Sequence, residues 1–204
     1  MGHDNNYRMN KVNLPEGKAG NYKIEKFIVP EHSLEGFRLQ MQGRGIKPGE
    51  YTRLVRNNYV TVMSDTPAEM QDHRVVVNIC KSFNTPGNVL IGGLGIGMVL
   101  DNIAHLDTVN HVHVLELSQE VIDLVWPTYK AKYGDKITIE KVNVFERKPK
   151  LGEKYDYIWW DVWDNITSDN LDQFETLRRR WCRRTPKQDF WCEKECKRSV
   201  MYQY

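Results

Sequence analysis

The chain has 204 residues, is 40% hydrophobic and 27% charged, and carries a formal net charge of +2, a balance expected of one soluble globular domain with a single compact core. Its longest apolar run, Val89 to Leu100, is 12 residues broken by glycines, short of the roughly 20 that a membrane-spanning helix needs. The first 20 residues lack the apolar stretch of a secretory signal, and four cysteines (Cys80, Cys182, Cys192, Cys196) are too few for a disulfide scaffold, so a cytoplasmic protein with free thiols and no membrane contact is expected.

Residues 1–20 are polar, with Gly and Pro, and are expected to form an arm or strap outside the core. Residues 21–204 are expected to form one domain. Over 21–65 come short β-like pieces, YKIEKFIV, TRLVRN and YVTVMS, with Asn57-Asn58 as a tight hairpin turn. A helix is predicted from Thr66-Pro67-Ala68-Glu69, with Thr66 as cap and Glu69 reaching back to it; His73, Val76, Val77 and Cys80 would form its buried stripe.

After Thr85-Pro86-Gly87 the pattern alternates between strand and helix. Strands are predicted at 88–92, 111–116, 136–142 and 155–161, with helices near 95–106 and 118–132, so residues 66–166 read as a Rossmann-like α/β core: a parallel sheet flanked by helices. Ligands in such sheets bind beyond the C-terminal strand ends. Residues 167–204 read as a basic helical tail with a helix beginning near Ser168 or Asp169, whose apolar face is Leu171, Phe174, Leu177 and Trp181. No convincing strand follows Asp161, so the sheet is expected to finish early or to borrow strands from the N-terminal unit. Residues 178–204 hold nine Lys/Arg against three Asp/Glu, a surplus of +6 that leaves −4 on the rest of the chain. A solvated helix face is the favoured explanation, with nucleic-acid binding as the disfavoured one. Cys182, Cys192 and Cys196 lack the paired knuckle spacing of structural zinc, so no metal site is expected.

Chemistry is expected at Gly92-Gly93-Leu94-Gly95-Ile96-Gly97, directly after a predicted strand and opening a predicted helix, where backbone can approach a ligand and helix N-terminal amides can meet polar groups. Glu116 lies 19 residues after Gly97, at the end of the next strand, where a carboxylate can accept both hydroxyls of a ribose. Neither Met98 nor Leu100 supplies the third small residue of a dinucleotide fingerprint, which disfavours a nicotinamide cofactor. The spacing of Gly93, Gly95 and Gly97 instead resembles the nucleoside-binding loop of class I S-adenosylmethionine-dependent methyltransferases. That resemblance implies S-adenosylmethionine as cofactor, with Gly93, Leu94, Gly95, Gly97, Glu116, Leu117, Asn143 and Val144 around it and Asn143-Val144 at the adenine edge.

Within that superfamily the segments VLIGGLGIGMVL, VLELSQEVI and YDYIWWDVWDN resemble spermidine synthases and the short spermidine-synthase-like proteins of bacteria and their phages. The resemblance implies that Asp161 and Asp164 are the catalytic pair, the first orienting and deprotonating an attacking amine. It also implies that SDTPAEMQDH, residues 64–73, forms a gate in which Asp65, Asp72 and His73 line the substrate side, with a turn as the alternative role of Asp65 and the buried stripe that of His73. Trp163, past the strand, is expected to pack in the core or to cover a flat or cationic ligand. Three departures accompany it: Gly95 stands where spermidine synthases carry an aspartate for the donor's free amine, Ile91 stands where methyltransferases usually have an acid, and DVWD lacks the Pro-Pro-aromatic motif of many amino-methylating enzymes. The expected function is a methyltransferase acting on a small amine-like acceptor. Aminopropyl transfer and a non-catalytic nucleoside-binding protein are the alternatives, and dimerisation is compatible with either.

Overall fold

The computed structural model describes residues 8–30 and 46–201. Strands β1 (Gly17–Ala19), β2 (Tyr22–Val29), β3 (Gly49–Arg56) and β4 (Val60–Ser64) form an antiparallel sheet in chain order. Asn57 and Asn58 join β3 to β4 with φ of 55° and 66°, the left-handed pair whose twist matches that of a two-residue hairpin.

The expected peripheral arm is corrected for residues 8–20. Met9, Val12 and Leu14 lie in the main hydrophobic core, and residues 17–19 form β1. Buried polar partners make this packing tolerable for the backbone. Asn102 exchanges two hydrogen bonds with the Asn10 main chain at 2.8 and 3.0 Å, and the Val12 amide donates to Asp65. Residues 1–7 lie outside the described residues.

The second sheet contains β5 (Gly87–Gly92), β6 (Val109–Glu116), β7 (Ile137–Lys141), β8 (Tyr157–Trp160) and β9 (Gln188–Phe190), in the order β7-β6-β5-β8-β9. Every pairing in it is parallel. The helices are α1 (Pro67–Lys81), α2 (Met98–Ala104), α3 (Gln119–Tyr133), α4 (Asn170–Trp181) and α5 (Glu193–Met201). This is the Rossmann-like architecture expected, with two corrections. The sheet does not end at β8, because Gln188–Phe190 adds a fifth strand on its edge, and it borrows nothing from the antiparallel unit. Three residues of polar and aromatic character carry too little periodicity to announce a strand.

Alternate residues of a strand face opposite sides of its sheet, and two cores follow from that rule. Val89, Ile91, Tyr157 and Trp159 pack with α1, α2 and α3; Leu90, Ile158 and Trp160 pack with Phe174, Leu177 and Trp181 of α4. His73, Val76, Val77 and Cys80 are all buried on α1, the predicted stripe. The capping box is not formed: Thr66 makes no side-chain cap bond, and its hydroxyl lies 3.0 Å from that of Ser64. No helix among the described residues is long and apolar enough to cross a membrane.

The chain order reverses between β5 and β8. From β5 it runs outward through β6 to β7, then returns to place β8 on the other side of β5. Strand ends diverge at such a switch point and leave a crevice, here just beyond Gly93 and Asp161.

Candidate active site

A cleft of about 1070 Å³ opens at the C-terminal ends of β5, β6 and β8 and is walled on its other side by β3, β4 and the start of α1. Gly93, Gly95 and Gly97 have φ of 94°, 52° and 69°, so each adopts a conformation that favours glycine. The cause differs from the one expected, because the protein's own atoms occupy the space a side chain would need. A Cβ on Gly93 would lie 1.9 Å from the Asp161 carbonyl, one on Gly95 2.3 Å from Met63 Sδ, and one on Gly97 2.1 Å from the Tyr129 ring. Gly93 and Gly95 line the cleft, whereas Leu94 is buried in the core and Gly97 caps α2, so these two are corrected from contact to support.

Glu116 ends β6 at the cleft floor and is 9% exposed. Its two oxygens accept the amides of Leu94 and Ser118, each at 2.8 Å. Burial pushes its carboxyl above the usual range, against the pull of those amides. A carboxylate offers about four lone-pair positions, so each oxygen keeps one for a further donor. Leu117 stands on the rim, 65% exposed.

Asn143 and Val144 follow β7 and line the cleft. The Asn143 side chain accepts the Phe145 amide and donates to Glu146, both at 3.0 Å, so it shapes the turn while lining the cleft at the expected edge. Arg180 of α4 clamps the same turn from behind, donating to the carbonyls of Val144 at 3.0 Å and Phe145 at 2.6 Å. The sequence places that arginine on a solvated helix face, and only tertiary packing reveals the carbonyls it serves.

On the opposite wall Asp161 leaves β8 with its amide on the Gly92 carbonyl at 2.8 Å. Its Oδ2 lies 2.6 Å from Nε2 of His73, whose Nδ1 lies 2.7 Å from the Glu69 carbonyl. His73 is fully buried. Burial alone would push the ring down, but the Asp161 charge and the hydrogen bonds to Asp161 and Glu69 raise it to about 9. Asp72 faces the cleft one residue earlier, with Cys192 Sγ 4.0 Å from its Oδ2.

Asp164 also lines the cleft but is paired with Arg56 of β3 at 2.5 Å. That pairing ties the antiparallel unit to the loop after β8. Trp163 is on the wall, fixed by a 2.6 Å bond from its indole to Gln173 and by edge contact with Phe174 at 4.4 Å. Asp65 is corrected: it is 1% exposed, lies off the cleft and accepts the amides of Thr52 and Val12, so it joins the N-terminal strap to β3. Of the expected gate, then, Asp72, His73 and Trp163 reach the cleft. Met63, Arg56 and Trp191 reach it as well without any local signal in the sequence.

A switch-point cleft with a glycine loop on one strand and a buried acid ending the next defines a Rossmann-like α/β protein with its candidate ligand site at the C-terminal strand ends. The sequence model of the spermine/spermidine synthase domain matches residues 69–190, and the chain belongs to that family. No curated protein matches the chain. Among solved structures it is similar to a candidate RNA methyltransferase from Pyrococcus horikoshii, with 12% identity, 67% of this chain and 66% of that one covered, and a TM-score of 0.49. A spermidine synthase in complex with the transition-state analogue AdoDATO shares 20% identity over 77% of this chain and 48% of its own, at a TM-score of 0.45. The CcbJ methyltransferase of Streptomyces caelestis shares 20% identity over 54% of this chain and 43% of its own, at 0.41. The match thus spans about half the length of that spermidine synthase.

Proposed function

We propose that this protein is an S-adenosylmethionine-dependent methyltransferase acting on a small amine-like acceptor. The observation that carries this reading is the Met63–Gly95 contact. Gly95 stands where the resemblance to spermidine synthases would put an aspartate for the donor amine, and the space for its side chain is filled by the Met63 thioether, 2.3 Å from the would-be Cβ. Without that carboxylate a decarboxylated donor loses its counter-charge. A donor carrying its own carboxylate beside the amine needs none.

The cleft suits a nucleoside. Glu116 keeps a lone pair on each oxygen for ribose hydroxyls, Val144 presents main chain at the adenine edge, and Gly93 and Gly95 present main chain to the amino-acid part. When bound, S-adenosylmethionine supplies an electrophilic methyl carbon. Asp161, with one oxygen on His73 and the other without a partner among the described residues, holds the acceptor's N–H. Asp164 contributes through its pair with Arg56, which closes the cleft's edge.

Family membership favours a second reading, aminopropyl transfer from decarboxylated S-adenosylmethionine. Turnover of both donors with small diamines separates the two. Methyl transfer from the carboxylated donor is expected, with the decarboxylated one gaining only when Gly95→Asp is combined with Met63→Ala to clear the space. Aminopropyl products from the unmodified protein would overturn the proposal; tight donor binding without turnover of either, across a wide acceptor set, would favour the non-catalytic alternative.

A further inference from the structure

The His73–Asp161 pair has a property that neither residue type announces. His73 sits on α1 with no exposed surface, enclosed by the edge of the Trp159 ring at 5.9 Å, the Glu69 carbonyl and the Asp161 carboxyl. A main-chain carbonyl only accepts, so Nδ1 must carry a hydrogen. At 2.6 Å, Nε2 and Asp161 Oδ2 must share another, because two bare lone pairs at that separation would repel. The ring and the carboxyl together therefore hold one proton beyond that on Nδ1, and an imidazolium facing a carboxylate is the arrangement in which each buried charge is paired.

We propose that His73 is a positioning residue that stays protonated in the resting protein, so that Asp161 anchors the acceptor's N–H through Oδ1 and does not take its proton. This deepens the transferase reading and rests on it for the identity of the acceptor. Protonating Asp161 while His73 is an imidazolium would leave a buried cation without its hydrogen-bonded counter-charge, a costly state for a fully buried ring. A neutral acceptor amine, having lost any extra proton to water before it docks, consequently donates an N–H to Oδ1. Its lone pair forms the new N–C bond while the donor's S–C bond breaks with its electron pair going to sulfur, and the alkylated nitrogen keeps its protons as an ammonium ion until it reaches water. The groups facing the pair are Glu69 on α1, whose charge also acts on the ring, Glu116 at the end of β6, whose carboxyl interacts with that of Asp161, and Asp72 with the Cys192 thiol, which burial keeps neutral. The Asp161 and Glu69 charges favour retention of the proton, in keeping with the rise of the ring to about 9.

The test is nitrogen NMR of the full chain labelled at its six histidines, without ligand, with His73 assigned by the signal that His73→Gln removes. Two imidazolium-type ring nitrogens at pH 7, titrating only toward pH 9, are expected, and Asp161→Asn should convert them at pH 7 to one protonated and one bare nitrogen. A bare ring nitrogen at pH 7 in the unmodified protein would overturn the proposal, as would an imidazolium that persists in Asp161→Asn. Should His73→Gln fail to fold, Asp161→Asn supplies the assignment through the same shift. The readout needs neither donor nor turnover. Titration of the same samples with S-adenosylhomocysteine reports separately on the nucleoside reading, so each can fail without the other.

Discussion

Replacing Glu116 by Gln separates what this residue does for the fold from what it does for a ligand. The native carboxylate accepts two backbone amides at 2.8 Å while 9% exposed. Gln turns one acceptor into a donor that points at an amide, and a buried donor left unsatisfied costs about 1–3 kcal/mol. Part of that is offset, because burial pushes the Glu116 carboxyl up and the neutral amide escapes the same penalty. A net destabilisation of about 1 kcal/mol follows, or about 3 °C in Tm for a chain of this size. The effect on binding is larger. One of the two oxygens left for ribose hydroxyls is lost and the charge on the other is gone, and hydrogen bonds to a charged group are worth about 1.5–3 kcal/mol, so S-adenosylhomocysteine should bind about 10- to 100-fold more weakly. Calorimetric titration beside a thermal melt measures both. The two quantities also move oppositely with pH. Because the carboxyl is raised by burial, its ionised form opposes folding; as pH falls through the raised value the fold gains stability while the ligand loses its anionic acceptor, and this begins above the ordinary glutamate value. A well-folded Glu116→Gln protein that binds within twofold of the native one would refute the reasoning.

Three further outcomes follow from the packing. Arg180→Met keeps the aliphatic stem but removes the donors to Val144 and Phe145; S-adenosylhomocysteine affinity should fall about 3- to 10-fold, with faster amide exchange confined to residues 143–146, and unchanged exchange there would contradict the clamp. Glu153 is pushed up by burial but pulled down to about 2 by Arg147, the Lys150 amide and Tyr155, so its stabilisation is present above about 4.5 and is lost as pH falls toward 2. Urea unfolding should show about 2 kcal/mol disappearing across that window, absent in Glu153→Gln. Gly97→Ala sets a methyl 2.1 Å from the Tyr129 ring at φ 69°; left-handed strain plus overpacking should destabilise by about 3 kcal/mol in the same assay.

The parts of the fold legible in the sequence are those whose signal is local. Strand runs such as NVLIG and YDYIWW, the 3-4-3 stripe of α1 and the alternation of Trp159 and Trp160 onto opposite faces all follow from period and polarity alone. Glu116 is legible from its place at a strand end and Asp161 from the resemblance carried by YDYIWWDVWDN, and the parallel topology brings both to one cleft. What escaped depends on distant partners. Asp65 has the appearance of a turn acid until the amides of Thr52 and Val12 are brought to it, and Met9, Val12 and Leu14 look like scattered apolar residues in a polar arm until Asn102 and Asp65 hold the main chain at Asn10 and Val12. β9 is too short to show a period. The glycine loop is legible, yet its glycines are required by Asp161, Met63 and Tyr129, residues 32 or more positions away in sequence. His73 belongs to both descriptions given for it: its ring completes the α1 stripe, and its Nε2 reaches the cleft acid.

The central claim is that the switch-point cleft is a nucleoside pocket built on Glu116. Its most direct test is calorimetric titration of the full chain with S-adenosylhomocysteine and methylthioadenosine, beside Glu116→Ala. Saturable one-to-one binding of S-adenosylhomocysteine, tighter than that of methylthioadenosine and abolished by the substitution, is the predicted result. Absence of binding by the folded native protein, or binding that survives Glu116→Ala unchanged, would contradict it.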